Sequence, residues 1–126
     1  MIKRKTAVNI LKKYGEAWTQ QDVAKILSIF HKNGIYHENV FQKPFRGHSG
    51  IQHYWQTKVV EEQSKIKFKL LHFWIDGNTL IAEWDASFNS NIMKAKIHIR
   101  EVAIMEVKSN KIKSLREFWQ DEKKPY

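Results

Sequence analysis

Between the turn Asp76-Gly77-Asn78 and the turn Asn89-Ser90-Asn91 the chain alternates in character. Leu80, Ala82, Trp84, Ala86 and Phe88 interleave with Ile81, Glu83, Asp85 and Ser87. A period of two places one set on each face of a strand, and Asp-Gly-Asn is a strong hairpin signal. The neighbouring segments repeat the theme. Ile66 to Ile75 precedes the first turn, Ile92 to Val107 follows the second, and Lys108-Ser109-Asn110 leads into Ile112 to Trp119. Four successive strands joined by tight turns predict an antiparallel meander. Its apolar face needs a cover, which the first half of the chain must supply.

That half reads as helices. Val8, Leu11, Tyr14, Gly15 and Trp18 recur at helical spacing over Thr6 to Thr19, leaving Lys12, Lys13 and Glu16 outward. Gln20-Gln21-Asp22 breaks the pattern, and Asp22 is a suitable N-cap for a helix reaching Phe30. Lys32-Asn33-Gly34 reads as its stop, with Asn or Gly left-handed. Ile35 to Glu38 is a short strand and Asn39 to Gly50, with Pro44 and two glycines, a loop. A third helix runs from Ile51 to about Gln63, and the charged end, Gln120 to Tyr126, reads as a flexible tail. Helices first and strands last give an α+β layer fold in a single domain over residues 1–126.

Composition removes several function classes. The chain has no Cys, which excludes a disulfide scaffold, a thiol nucleophile and thiolate metal sites. The longest apolar runs, such as Val102-Ala103-Ile104-Met105, are far too short to cross a bilayer. No apolar stretch of signal-peptide length follows the basic start, so the expected location is cytoplasmic, away from membranes. The net charge of +9 comes mostly from scattered lysines, and only four residues are Arg. Lys65, Lys67 and Lys69 alternate with Ile66, Phe68 and Leu70, a wet strand face rather than a nucleic-acid site. The six histidines show no two-His-plus-carboxylate spacing, and neither a metal nor a cofactor is expected.

The landmarks Ala17-Trp18 with Asp22, Phe30 followed by Ile35-Tyr36-His37-Glu38, Arg46-Gly47 with Gly50-Ile51, and Lys111 to Trp119 span nearly the whole chain. In this order they resemble nuclear transport factor 2-like domains, and more narrowly their SnoaL-like and ketosteroid-isomerase-like branch. The resemblance implies a cone in which three N-terminal helices pack in a strongly curved, mostly antiparallel sheet, the cystatin-like α+β barrel. It also implies a pocket inside the cone and, commonly, a homodimer through the outer sheet face. Ile81, Val102, Ile104 and Ile99 or Ile97 supply apolar residues for that face.

Ketosteroid isomerases of this branch use a Tyr on the first helix, a carboxylate base on the first strand and an acid on a late strand. The first two positions fall on Tyr14 and Glu38; the third falls near Val102 or Ala103, neither of which can donate a hydrogen bond. Glu101 shares parity with Ala103 and Met105 and is a candidate replacement acid; Arg100 beside it faces the other way. Each candidate has a plainer alternative: Glu38 exposed or paired with Lys, Tyr14 a core residue, Glu101 turned outward by a bulge. Trp18, Tyr54, Trp55, Trp84, Phe88, Leu115 and Trp119 are expected to wall an apolar pocket with few polar anchors, or to fill it. Three functions follow: a cofactor-free isomerase- or cyclase-type enzyme acting by acid–base chemistry on an apolar carbonyl compound, a non-catalytic small-molecule binder, or a protein-interaction module with a filled cone.

Overall fold

The computed structural model describes residues 1–125. Helix α1 (Arg4–Thr19) buries Ala7, Ile10, Leu11, Tyr14, Ala17 and Trp18, while Val8 stays exposed on its outer side. Gly15 lets this helix lie against the sheet, since a Cβ there would come within 2.6 Å of the Phe68 ring. Helix α2 (Val23–Ile29) is capped as expected: the Asp22 side chain accepts a hydrogen bond from the Lys25 N–H at 3.0 Å.

The expected stop at Lys32-Asn33-Gly34 is instead part of a strand. β1 (Phe30–His37) begins directly after α2, and its register against its neighbour shifts between Phe30 and Ile35. Gly34 is needed there for space, because a Cβ would sit 2.9 Å from the His31 carbonyl oxygen. A two-residue strand β2 (Phe45–Arg46) lies inside the expected loop and leads into α3 (Gly47–Trp55), which continues as a π-helical turn (Gln56–Glu61). Four strands follow: β3 (Gln63–Asp76), β4 (Thr79–Ser90), β5 (Ala95–Lys108) and β6 (Lys111–Pro125).

The six strands form one mixed sheet in the order β2-β1-β6-β5-β4-β3, with β1 parallel to β6 and every other pair antiparallel. This is the α+β arrangement expected, three helices packed inside a curved sheet. Register shifts at Ser64/Lys67, Leu70/His72 and Glu106/Val107 bend the strands, as bulges do. The shift at Leu70/His72 also changes which residues face inward. Phe68, Leu70, Phe73 and Ile75 pack on the core, while His72 and Trp74 turn to the outer face.

Two boundaries differ from the sequence reading. Asn91 to Lys94 is a turn, so β5 starts at Ala95. The expected tail is largely strand: β6 stays paired with β5 until Pro125 meets Ala95, and Tyr126 lies outside the described residues. Every side chain from Phe118 to Pro125 remains exposed, so the backbone ladder, not apolar burial, holds this stretch.

Candidate active site

The inward parity of β5 and β6 decides the chemistry of the cone. On β5, Ile97, Ile99, Glu101, Ala103 and Met105 all face the core. On β6, Leu115 and Glu117 do the same. Ala103 pairs directly with Glu117, and Glu101 pairs with Trp119, so the two glutamates are diagonal neighbours on one face. Long side chains reach each other across such a diagonal, and the Glu101 and Glu117 carboxyls are hydrogen-bonded to one another. They are 3% and 7% exposed respectively.

Two phenols from other elements converge on this pair. Tyr14 of α1 donates to Glu117 Oε1 at 3.2 Å, Tyr36 of β1 donates to the same oxygen, and the two hydroxyl oxygens lie 3.2 Å apart. Tyr36 is brought there by the parallel β1–β6 pairing, in which it opposes Leu115. Burial pushes the Glu101 carboxyl well above the usual carboxylate range, and the neighbouring Glu117 raises it further. Burial also raises Glu117, but hydrogen bonds from Tyr36, Tyr14 and Glu101 offset part of the rise and leave it at about 7. Burial thus drives both carboxyls toward holding a proton, the pair titrates as a unit, and Glu117 accepts hydrogen bonds from both phenols. Burial pushes the phenols of Tyr14, Tyr36 and Tyr54 well above their ordinary value, so all three remain protonated.

Above this floor opens a cavity of about 260 Å³. Its walls include Trp18, Tyr54, Trp55, Phe88, Ile97 and Ile99, and Trp119 stands at the mouth, 41% exposed. Trp18 is held by a 2.8 Å hydrogen bond from its Nε1 to Gln63 Oε1. The Gln21 amide fixes the adjoining edge by donating to the carbonyls of Val59 and Gln63, both at 2.8 Å. Two buried polar atoms of the lining have no hydrogen-bond partner among the described residues, Glu101 Oε2 and Trp55 Nε1.

Of the residues singled out by sequence, Tyr14, Glu38, Glu101, Trp18, Tyr54, Trp55, Phe88 and Trp119 all border this cavity. Trp84 and Leu115 do not. Their parity is inward, but they lie beneath the floor, with no exposed surface. Trp84 packs on Tyr14 and Phe68 at ring separations of 4.8 and 5.4 Å, and Leu115 sits in the core. Glu38 follows the end of β1 and is half-buried at the cavity's edge. The hydroxyl of Tyr14 bonds Tyr36 and Glu117, not Glu38.

Neither Val102 nor Ala103 carries an acid, but the cross-strand partner of Ala103 is Glu117, which sequence reasoning passed over together with Tyr36. Both were within reach of parity. Glu117 lies between Leu115 and Trp119, and Tyr36 two residues before Glu38. Nor is the cavity poor in polar anchors: Glu38, Glu62, Glu101, Glu117 and Asp121 all line it. Among the described residues no group of three or more His, Asp or Glu is placed to hold a metal ion, and no helix is long and apolar enough to cross a membrane.

Residues 11–115 match the SnoaL-like domain family. No curated protein matches the chain by sequence. Among solved structures, the chain is similar to SalBIII, described as an epoxide hydrolase/cyclase-like enzyme in pyran ring formation in the polyether salinomycin. That similarity is 19% identity over 95% of both chains, with a TM-score of 0.80. An LEH-like epoxide hydrolase of M. tuberculosis aligns over 92% of this chain and 84% of its own, at 14% identity and a TM-score of 0.75. An NTF2-like protein of unknown function from Burkholderia pseudomallei aligns over 91% of each chain, at 8% identity and a TM-score of 0.77. At these identities the likeness to solved structures is one of fold.

Proposed function

This chain belongs to the SnoaL-like domain family, and we propose that its cone is an acid–base active site for isomerising or cyclising a small molecule at a carbonyl or epoxide oxygen. The observation that carries this reading is the buried Glu101–Glu117 pair, diagonal neighbours on one sheet face, with the phenols of Tyr14 and Tyr36 donating to Glu117; burial raises both carboxyls toward neutrality. Such a pair offers an acid and a base side by side at neutral pH. Glu117 would take a proton from the attacking hydroxyl of the substrate, or from a carbon next to its carbonyl. Glu101 would give its proton to the oxygen that gains negative charge. In a cyclisation, the new C–O bond forms as the epoxide C–O bond breaks, and no electrons leave or enter. The two carboxyls then hold exchanged proton states, which the hydrogen bond between them can restore. The unpaired Glu101 Oε2 and Trp55 Nε1 support the reading, because buried polar atoms without partners cost about 1–3 kcal/mol each and a ligand's polar group would satisfy them. The descriptions of SalBIII and the mycobacterial hydrolase are consistent with this class of chemistry.

The test is a panel of small epoxy-alcohols and enolisable ketones incubated with the protein in D2O and followed by NMR. The expected result is mass-neutral conversion, or deuterium entering next to a carbonyl, with a loss of roughly 10²–10⁴ in Glu117→Gln. Compounds that occupy the cavity without conversion or exchange would favour the non-catalytic binding reading instead.

We also propose a homodimer through the outer sheet face. Trp74 and Phe118, 52% and 43% exposed, flank the half-buried Ile81, Val102 and Ile104 there, an apolar patch on the far side from the cavity. Ile97 and Ile99, considered for this face from sequence, point inward and are buried.

A further inference from the structure

Charge is distributed very unevenly in this protein. The chain has 22 basic and 13 acidic residues, yet five of the acids line the cavity and only one base, Lys58, does so. Lys58 is engaged with Glu62 at 3.5 Å, so it neutralises none of the others. Among the described residues no ion pair is formed by Glu38 or Asp121 at the cavity's edge, nor by Glu101 and Glu117 on its floor. A domain with so large an excess of lysine has placed two carboxylates without an ion-pair partner, Glu38 and Asp121, at the edge of the cavity its ligand would enter.

Two further observations bear on the ligand: the floor has room for a hydrogen-bond donor, and the walls favour a cation. Glu101 Oε2 is buried at the floor without a partner, an acceptor with nothing to accept from. The carboxylates also share the cavity with aromatic rings: Trp18, Tyr54 and Phe88 on the walls and Trp119 at the mouth. The N–H of Trp18 is taken up by Gln63. Aromatic faces attract cations, most strongly where water is excluded. An anion would meet the opposite field, and a neutral molecule would gain less from the carboxylates than a cation.

We propose that the substrate of this cavity carries an aliphatic ammonium group, seated among the aromatic walls between the rim carboxylates Glu38 and Asp121. The proposal rests on the acid–base reading of the same cavity and adds the class of molecule it takes: a neutral reacting oxygen at the Glu101–Glu117 floor and a positively charged nitrogen toward the mouth.

The test compares three probes of one shape: choline, its neutral carbon isostere 3,3-dimethylbutan-1-ol, and the anion 3,3-dimethylbutanoate. Each is titrated into the full-length protein by ligand-detected NMR at up to about 10 mM. Choline is expected to bind at least about tenfold more tightly than the alcohol, and the anion not at all. The double variant Glu38→Gln/Asp121→Asn should bring choline and the alcohol to within about twofold of one another, with the alcohol's affinity unchanged. Equal affinities for choline and alcohol in the unmodified protein, or no binding of choline, would overturn the proposal. The two readings fail separately. A missing preference for choline, with conversion of panel compounds still abolished by Glu117→Gln, would remove the ammonium and leave the acid–base site. Preferred choline binding without conversion of any panel compound would leave a cation-binding cavity and remove the catalysis.

Discussion

Folding stability should fall between about pH 5 and pH 8, and the Glu101–Glu117 pair should account for most of the fall. Glu117 is raised in the folded protein from 4.5 to about 7, chiefly by burial. A carboxyl so raised weakens nothing below its unfolded value, opposes folding increasingly above it, and exerts its full effect once pH passes the folded value. The full effect is roughly 3 kcal/mol, most of which develops between about pH 5 and pH 8. Glu101, also raised by burial, acts in the same direction. The perturbation is the double variant Glu101→Gln/Glu117→Gln. It keeps the shapes, an acceptor for both phenols and a donor between the two positions, but cannot ionise. Urea unfolding followed by Trp fluorescence at several pH values should show the unmodified protein losing about 2–3 kcal/mol more than the variant across this range. His98 on the outer face is also raised, by hydrogen bonds to Glu122 and Asp85, but it is common to both proteins and cancels in the difference. Parallel profiles, agreeing to within about 0.5 kcal/mol, would refute the reasoning, because they would mean that the pair carries no desolvated charge.

Three other outcomes are expected. Tyr36→Phe removes one of the hydrogen bonds that hold Glu117 down, so carboxyl-detected NMR should find Glu117 titrating above its value of about 7 in the unmodified protein; an unchanged or lower value would contradict the assignment. Gly15→Ala forces a methyl against the Phe68 ring and should destabilise by about 1–3 kcal/mol in urea unfolding. The proposed homodimer should appear by light scattering at micromolar concentration and give way to monomer in Ile104→Lys, with the far-UV circular dichroism unchanged.

The fold was legible because its signals are local. Alternation from Thr79 to Phe88, the Asp76-Gly77-Asn78 hairpin and the Asp22 cap each depend on a few neighbouring residues, and each formed as read. Signals that depend on a distant partner were not legible. Gly34 looked like a helix stop because the crowding shows only in the folded, shifted strand, where a Cβ would meet the His31 carbonyl at 2.9 Å and the Ile112 carbonyl of β6 at 3.2 Å. Gln120 to Pro125 looked like a tail because its side chains stay wet and its order comes from the β5 ladder. For the site, parity found the correct faces but not the depth. Trp84 and Trp119 both point inward, yet one is sealed under the floor and the other stands at the mouth. Glu117 acquires meaning only from register: opposite Ala103, diagonal to Glu101, beneath Tyr14 and Tyr36, contacts that span 103 residues for Tyr14 alone.

The energetics of that constellation argue for function over architecture. A buried polar network kept for stability or specificity is normally satisfied throughout, because a partly satisfied one is worse than an apolar core. Here Glu101 Oε2 and Trp55 Nε1 are left without partners beside the cavity. Ionising Glu117 opposes folding by roughly 3 kcal/mol, a substantial share of the 5–15 kcal/mol typical of a domain. Apolar side chains at Glu101 and Glu117, with Phe in place of Tyr14 and Tyr36, would remove the ionisation penalty and the unpaired Glu101 oxygen. What the present arrangement achieves instead is a balance: burial alone would carry Glu117 higher, and the two phenols and the Glu101 carboxyl draw it back to about 7. A carboxyl held there by opposing effects can both take and give a proton at neutral pH, which is the property acid–base catalysis needs and folding does not.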